Sequence, residues 1–319
     1  MMKSAVIGAG VIGTLHAAIL KKSGRLCSVC DIDEAKLTPY PDVPVYTDFI
    51  RLLDEEKPDT VHICTPHYLH ADMICEALCR GINILCEKPL CIRKEDIGRI
   101  LDAEKKSKAT LGVCLQNRYN PENRFVKDYL KGKNVRQITG VVTWHRDEKY
   151  YASADWRGKK ATEGGGVLIN QALHTLDLAL WLSDMPDTVV SSLSDLTLGG
   201  VIEVEDTAVI IGRGKTALNF FATNGSGCDM PVELTVKTDN EIIKITPGAV
   251  MINGEARKFE SVYKALGKQC YGSGHEALIE DFYACIEDGR PFEINAEEAS
   301  RVVRVILAAY ESGGYPVKI

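Results

Sequence analysis

The sequence predicts an α/β protein of two domains: an N-terminal parallel sheet wound on both faces, then a domain of mostly antiparallel strands. Two observations carry this. In the first third, apolar runs alternate with amphipathic stretches. "KSAVI" (3–7) is followed by "TLHAAILKKSG", which has helical periodicity and a glycine stop at Gly24, and then by the strand "RLCSVCDID". A strand near 60–64, a helix over 67–80, a strand over 82–86, a helix over 93–107 and a strand over 110–116 continue the pattern. Strands alternating with helices of ten or more residues imply a parallel sheet. In the remainder, "VRQITGVVTWHRDE" opens a series of short β-like runs at 187–198, 204–212, 215–223, 231–237 and 241–252. Turn signals such as "GRGK" and "TDNE" join them, which favours antiparallel pairing. Helices near 275–288 and 296–311 close the chain, and the domains divide as 1–120 and 121–319.

Composition narrows the function classes. The chain has 319 residues, 45% hydrophobic and 26% charged, with a net charge of −6, as in ordinary soluble globular proteins. It has no basic run to meet nucleic acid and no apolar stretch long enough to span a bilayer. The N-terminus is punctuated by glycines and reads as folded protein rather than a leader. Most of the eleven cysteines sit in apolar runs such as "VHICTP" and "NILCEKP", and the odd count fits a reducing cytoplasm. Cys27 and Cys30 lie three apart in a strand and face opposite ways, so no metal is expected there.

Gly8, Gly10 and Gly13 form G-x-G-x-x-G between a strand and a helix. The first permits the turn, the second lets a pyrophosphate approach the backbone, and the third lets the helix pack on the sheet. The helix N-terminus offers amide donors to phosphate. Asp31, ending the second strand, can accept from both ribose hydroxyls and would repel a 2′-phosphate. Asp33 and Glu34 follow, with no Lys or Arg before Lys36, so the cofactor expected is NAD. Later strand ends fall on the same sheet edge, where ligands of open α/β sheets bind. They carry Thr65-Pro66-His67, Glu87-Lys88-Pro89 and Gln116-Asn117-Arg118. The expected cofactor contacts are Gly8, Ala9, Gly10, Val11, Ile12, Gly13, Asp31, Ile32, Thr65, Pro66, His67, His70, Glu87, Lys88 and Asn117.

The second candidate centre is "EGGGVLINQALHTLDLALWL", residues 163–182. Read as a helix from 167, it sets Asn170, His174, Asp177 and Trp181 on one face and Ile169, Leu173, Leu176 and Leu180 on another. Asp177 would then touch His174 from i+3 and bias its tautomer. Upstream, Arg157, Lys159 and Lys160 in "YYASADWRGKK" suit either an anionic or polyol substrate or an ordinary solvated loop.

Together, "GAGVIGTLH", "CTPHYLH", "EKPL", "GGGVLINQALHTLD" and the tail from "GHEALIEDFYACIEDGRPFEI" onward resemble the Gfo/Idh/MocA family of NAD(P)-dependent oxidoreductases over nearly the whole chain. The resemblance implies a Rossmann domain and a C-terminal α+β domain on a large, mostly antiparallel sheet. It implies oxidation or reduction of a hydroxyl on a sugar, inositol or related polyol, and a homodimer or homotetramer. The family's proton-transfer or substrate-polarising lysine maps to Lys88. Many members carry aspartate four residues before the histidine; here it is Asn170, which cannot act as a base. Proton transfer then falls to Lys88 and His174, with Asn170 positioning the hydroxyl. Arg118 and Arg157 complete the expected substrate contacts. An aspartate at 170 is expected to be tolerated or to restore a family-like base. Two alternatives stay open: a UDP-sugar 3-dehydrogenase, which the asparagine variant resembles, and a non-catalytic NAD-binding regulator.

Overall fold

The structure, a computed structural model, describes residues 2–263 and 273–319. The chain packs into two compact units, and they interleave in sequence rather than dividing at residue 120. The first holds Met1–Cys91, Glu95–Cys114 and Leu278–Ala299; the second holds Ile92–Lys94, Leu115–Ala277 and Ser300–Ile319.

The first unit is built from β1 (Ser4–Ile7), α1 (Val11–Lys22), β2 (Leu26–Cys30), β3 (Val45–Tyr46), α2 (Phe49–Glu56), β4 (Thr60–Ile63), α3 (His70–Cys79), β5 (Asn83–Cys86), α4 (Lys94–Lys106) and β6 (Leu111–Val113). All six strands are parallel, in the order β3-β2-β1-β4-β5-β6. Every residue of β1 and β4 is buried, as expected where helices cover both faces of a parallel sheet. The register aligns Ile7 with Cys30 and Ile63, Ile63 with Cys86, and Cys86 with Val113. Five strands therefore end in one row, and Gly8, Asp31, Cys64, Glu87 and Cys114 leave the sheet from the same edge. The returning segment guards the outer strand: Phe282 and Phe292 pack over Gly112, and the Val113 N–H donates to the Ile294 carbonyl at 3.0 Å.

The second unit adds α5 (Pro121–Tyr129), β7 (Val135–Thr143), α6 (Glu148–Tyr151), α7 (Leu173–Trp181), β8 (Thr188–Ser194), β9 (Thr207–Arg213), β10 (Ala217–Thr223), β11 (Glu233–Thr238), β12 (Ile242–Thr246), β13 (Ala249–Ile252), β14 (Glu255–Lys258), α8 (Gly274–Asp288), α9 (Ala296–Ser312) and β15 (Val317–Lys318). The ends of α8 and α9 that face each other in sequence belong to the first unit. Among the described residues the nine strands run β14-β13-β12-β11-β7-β10-β9-β8-β15, and only β7 and β10 pair in parallel. Burial alternates along β9 and β10, as on a sheet with one covered face. Ala208, Ile210, Leu218 and Phe220 are in the core, while Val209, Ile211 and Phe221 are exposed on the other face.

Candidate functional site

In the first unit, the glycine loop has the tight turn at Gly8 and the close helix approach at Gly13 that the motif predicts. Gly8 has φ +95°, and a Cβ there would lie 2.5 Å from the Cys64 carbonyl oxygen. At Gly13 a Cβ would lie 1.7 Å from the Gly8 oxygen, so α1 can pack this close only without one. Gly10, by contrast, faces open space within 4 Å and caps α1 with no side-chain bond to its first amides. Asp31 is fixed behind the loop: one carboxylate oxygen accepts the Ala9 N–H at 2.8 Å and the other the Asp33 N–H at 2.9 Å. Lys36 stands 3.7 Å from Asp31 and partly offsets the acidic context. Val11 and Ile32 flank the loop as exposed apolar residues. An open amide end of a helix beside a fixed carboxylate fits a dinucleotide: the Gly8–Gly13 loop would hold the pyrophosphate and Asp31 the ribose.

The other strand ends differ from expectation in instructive ways. His70, expected at the cofactor, is fully buried and acts as a brace. Its Nδ1 meets the Pro89 carbonyl at 2.7 Å and its Nε2 the Thr65 carbonyl at 2.9 Å. Burial pulls this imidazole below its ordinary pKa, against two carbonyls that favour the charged ring. The brace ties the loop after β4 to the Lys88–Pro89 turn, whose peptide bond is cis. Thr65 Oγ1 contacts Met73 Sδ at 3.5 Å, and His67 is buried.

Glu87 turns into the core. Its Oε1 lies 3.1 Å from His16 Nε2, while its Oε2 accepts the Lys88 backbone N–H at 3.2 Å. His16 Nδ1 lies 2.8 Å from His62 Nδ1, His62 Nε2 lies 2.9 Å from Tyr283 Oη, and Tyr283 Oη lies 2.6 Å from Ser4 Oγ. With Glu87 ionised, and so able only to accept, one polarity satisfies the whole chain. Ser4 donates to Tyr283, Tyr283 to His62, His62 through Nδ1–H to His16, and His16 through Nε2–H to Glu87. Burial holds the His62 imidazole well below its ordinary pKa, consistent with a neutral ring.

In the second unit, α7 begins at Leu173, so Asn170 lies before the helix rather than on its face. The reason is local. The amides of Gly166 and Leu168 donate to the Glu205 carboxylate at 2.9 and 3.0 Å instead of to carbonyls one turn back. A Cβ at Gly166 would lie 1.8 Å from the Glu205 carbonyl oxygen, which is why this loop needs glycine there. Burial pushes the Glu205 carboxyl up to about 7, opposed by those amides and by the Tyr310 hydroxyl at 3.1 Å.

His174 sits in the first turn of α7 with its Nε2 3.3 Å from the Gln116 amide nitrogen. Asp177, expected beside His174, has both oxygens on the Arg118 guanidinium, at 2.8 and 2.5 Å. Arg118, expected at the substrate, is 1% exposed and holds Asp177 in this buried pair. Gln116, Asn117 and Arg118 form a 3-10 turn of the second unit instead of ending a strand of the first. Asn117 Oδ1 is buried with no hydrogen-bond partner among the described residues. Asn170 Nδ2 donates to Glu163 Oε1 at 2.5 Å and to Tyr150 Oη at 3.3 Å. Arg157 joins this cluster, donating to Tyr150 Oη at 2.6 Å with its guanidinium 4.5 Å from the ring centre. Sequence reasoning singled out Asn170, His174 and Arg157, and Gln116 as part of a polar strand end, but missed Glu163 and Tyr150. An acid heading a triple-glycine loop was the one available signal.

Comparison with known proteins agrees with this anatomy. The profile of the Gfo/Idh/MocA oxidoreductase family, NAD-binding Rossmann fold, matches residues 2–115, and that of the Gfo/Idh/MocA C-terminal domain matches residues 133–236. The rhizopine catabolism protein MocA of Rhizobium meliloti is 26% identical, over 96% of this chain and 93% of that protein. Myo-inositol 2-dehydrogenase of Thermotoga maritima is 22% identical, over 98% and 96%. Among solved structures, the WlbA dehydrogenase of Chromobacterium violaceum in complex with NADH and UDP-GlcNAcA superposes with a TM-score of 0.88 at 25% identity, covering 100% of this chain and 96% of that one. Levoglucosan dehydrogenase in complex with NADH and levoglucosan gives 0.87 at 20% identity, covering 100% and 99%. With profiles spanning both units, a glycine loop backed by Asp31, and a histidine-bearing helix after a triple-glycine loop, the chain belongs to the Gfo/Idh/MocA family of oxidoreductases and carries its NAD-binding Rossmann domain.

Proposed function

We propose that the protein is an NAD-dependent dehydrogenase that oxidises or reduces a secondary hydroxyl of a sugar, inositol or related polyol. The observation that carries the reading is the setting of His174: an imidazole at the start of α7, met by Gln116 and preceded by Asn170, in a chain with an Asp31-backed glycine loop. The nicotinamide supplies hydride transfer when bound. The chain must then move the hydroxyl proton. His174 is the natural group for this near neutrality, because imidazole titrates in that range. Lys88 polarises the oxygen and shares the transfer, while Asn170 aligns the hydroxyl without taking its proton. The relatives named for inositol and glucoside oxidation support the substrate class. A second reading, a nucleotide-sugar dehydrogenase, draws on Asn170 and on the likeness to WlbA, solved with UDP-GlcNAcA. A screen of sugars, polyols and UDP-sugars read as NADH absorbance separates the two; reduction of NAD by none of them defeats both.

The Asp31 carboxylate should set the cofactor preference. NAD is expected to bind more tightly than NADP, and Asp31→Ala should weaken NAD by roughly 10- to 100-fold, the worth of hydrogen bonds to a charged acceptor. Fluorescence titration with both cofactors measures this. Tighter binding of NADP by the unmodified protein would contradict it.

A further inference from the structure

We propose that Glu163 positions Asn170, fixing its side-chain amide so that residue 170 offers the substrate an oxygen acceptor and cannot serve as a carboxylate base. Glu163 is fully buried, and its two oxygens have separate duties. One accepts the Gly158 N–H at 2.5 Å and the other the Asn170 amide at 2.5 Å. The group facing it is the Asn170 nitrogen, the arrangement that an ionised carboxylate, which can only accept, requires. The second N–H of that nitrogen goes to Tyr150 Oη. With the nitrogen turned to Glu163 and Tyr150, Oδ1 lies on the other branch of the amide. An oxygen there accepts from a hydroxyl, the donor that every sugar or polyol carries.

The same geometry reverses the expectation for aspartate at this position. Asn170→Asp would set two carboxylates 2.5 Å apart in a buried place, where both cannot be ionised. They would share one proton, as coupled acids do, and residue 170 would gain no base near neutrality. Burial, with the Glu163 charge adding to it, raises the pKa of Tyr150, Tyr151 and Tyr310, and Glu205 adds a further acid beside Tyr310. Arg157 donates to Tyr150 Oη, and the Arg146 guanidinium stands over the Tyr150 ring. The converse swap, Glu163→Gln with Asn170→Asp, satisfies every group: the glutamine oxygen takes the Gly158 N–H and its amide donates to the new aspartate.

The test is a double-mutant cycle on the full chain: unmodified protein, Asn170→Asp, Glu163→Gln and the double variant. Melting at neutral pH and the carbon-13 shift of the residue-170 carboxyl are read first. Each single variant should melt about 3–8 °C lower, and the double should return to within about 2 °C of the unmodified protein. The carboxyl should share a proton in Asn170→Asp and be ionised in the double. Losses that simply add, or an Asn170→Asp protein that melts normally with an ionised carboxyl, overturn the proposal. So does a double variant as unstable as Asn170→Asp. The acceptor role rests on the dehydrogenase reading and is read separately: Asn170→Asp should raise the Michaelis constant more than it lowers turnover, and an unaltered Michaelis constant in all three variants overturns it. Melts and carboxyl shifts need no substrate, so they stand even if the dehydrogenase reading fails.

Discussion

Replacing Lys88 or His174 with alanine is expected to lower turnover by about 100- to 10,000-fold while NAD affinity stays near normal. The glycine loop and Asp31 belong to other elements of the first unit, and neither substitution touches their hydrogen bonds. The two losses should not multiply. Groups that move one proton act as a unit, so the double variant should be far less damaged than the product of the single effects. On the proposed mechanism the effect falls on turnover, since groups that act on charge developing during reaction lower the rate rather than substrate binding when removed. Steady-state kinetics of the three variants, with cofactor titration alongside, measure this. Near-full activity of His174→Ala across pH would make the histidine structural and the mechanism wrong. The Gln116 contact gives a gentler companion, since its loss takes away one restraint on the ring and keeps the imidazole.

The second large effect concerns stability. Arg118 and Asp177 are each 1% exposed and joined through both carboxylate oxygens, with the guanidinium 5.5 Å from the Trp181 ring centre. A buried pair gains little over well-packed apolar residues, yet breaking it leaves a charge stranded at a cost of about 3–5 kcal/mol. Asp177→Ala should therefore lower the melting temperature by about 6–20 °C at roughly 2–4 °C per kcal/mol. Arg118→Met with Asp177→Leu should recover most of it. Thermal melts decide the matter: an Asp177→Ala protein that melts within about 2 °C of the unmodified one would show that the pair does not hold the 3-10 turn to α7. A substrate-binding Arg118, the sequence expectation, would instead shift the Michaelis constant and spare stability.

The contrast between these residues shows what a sequence can carry. The parallel sheet was legible because helix and strand periods are local, and the five aligned strand ends follow from them. The glycine loop and Asp31 were legible because their spacing reflects one turn and one strand. The short helix α2 was missed because only Leu52 and Leu53 of its eight residues are buried, too few to mark a period. The stretch before α7 looked helical because Val167, Leu168 and Ile169 are apolar. They are all fully buried, and the carboxylate that unwinds them, Glu205, comes 37 residues after Leu168. Arg118 and Asp177 are 59 residues apart, so nothing local marks their pairing. The return of Leu278–Ala299 to the first unit is likewise a tertiary fact with no local signature.

The donor chain from Ser4 to Glu87 has a consequence in time rather than in charge. Imidazole N–H protons at a surface trade with water too quickly to follow. Those of His16 and His62 are sealed, both rings being 0% exposed and each proton engaged by the next group in line. They can leave only when the sheet around β1 and β4 opens, so their lifetime against deuterium is a clock for that opening. Two side chains beside the glycine loop thus record how often the core of the Rossmann unit breathes, on a scale that backbone amides in the same strands can calibrate.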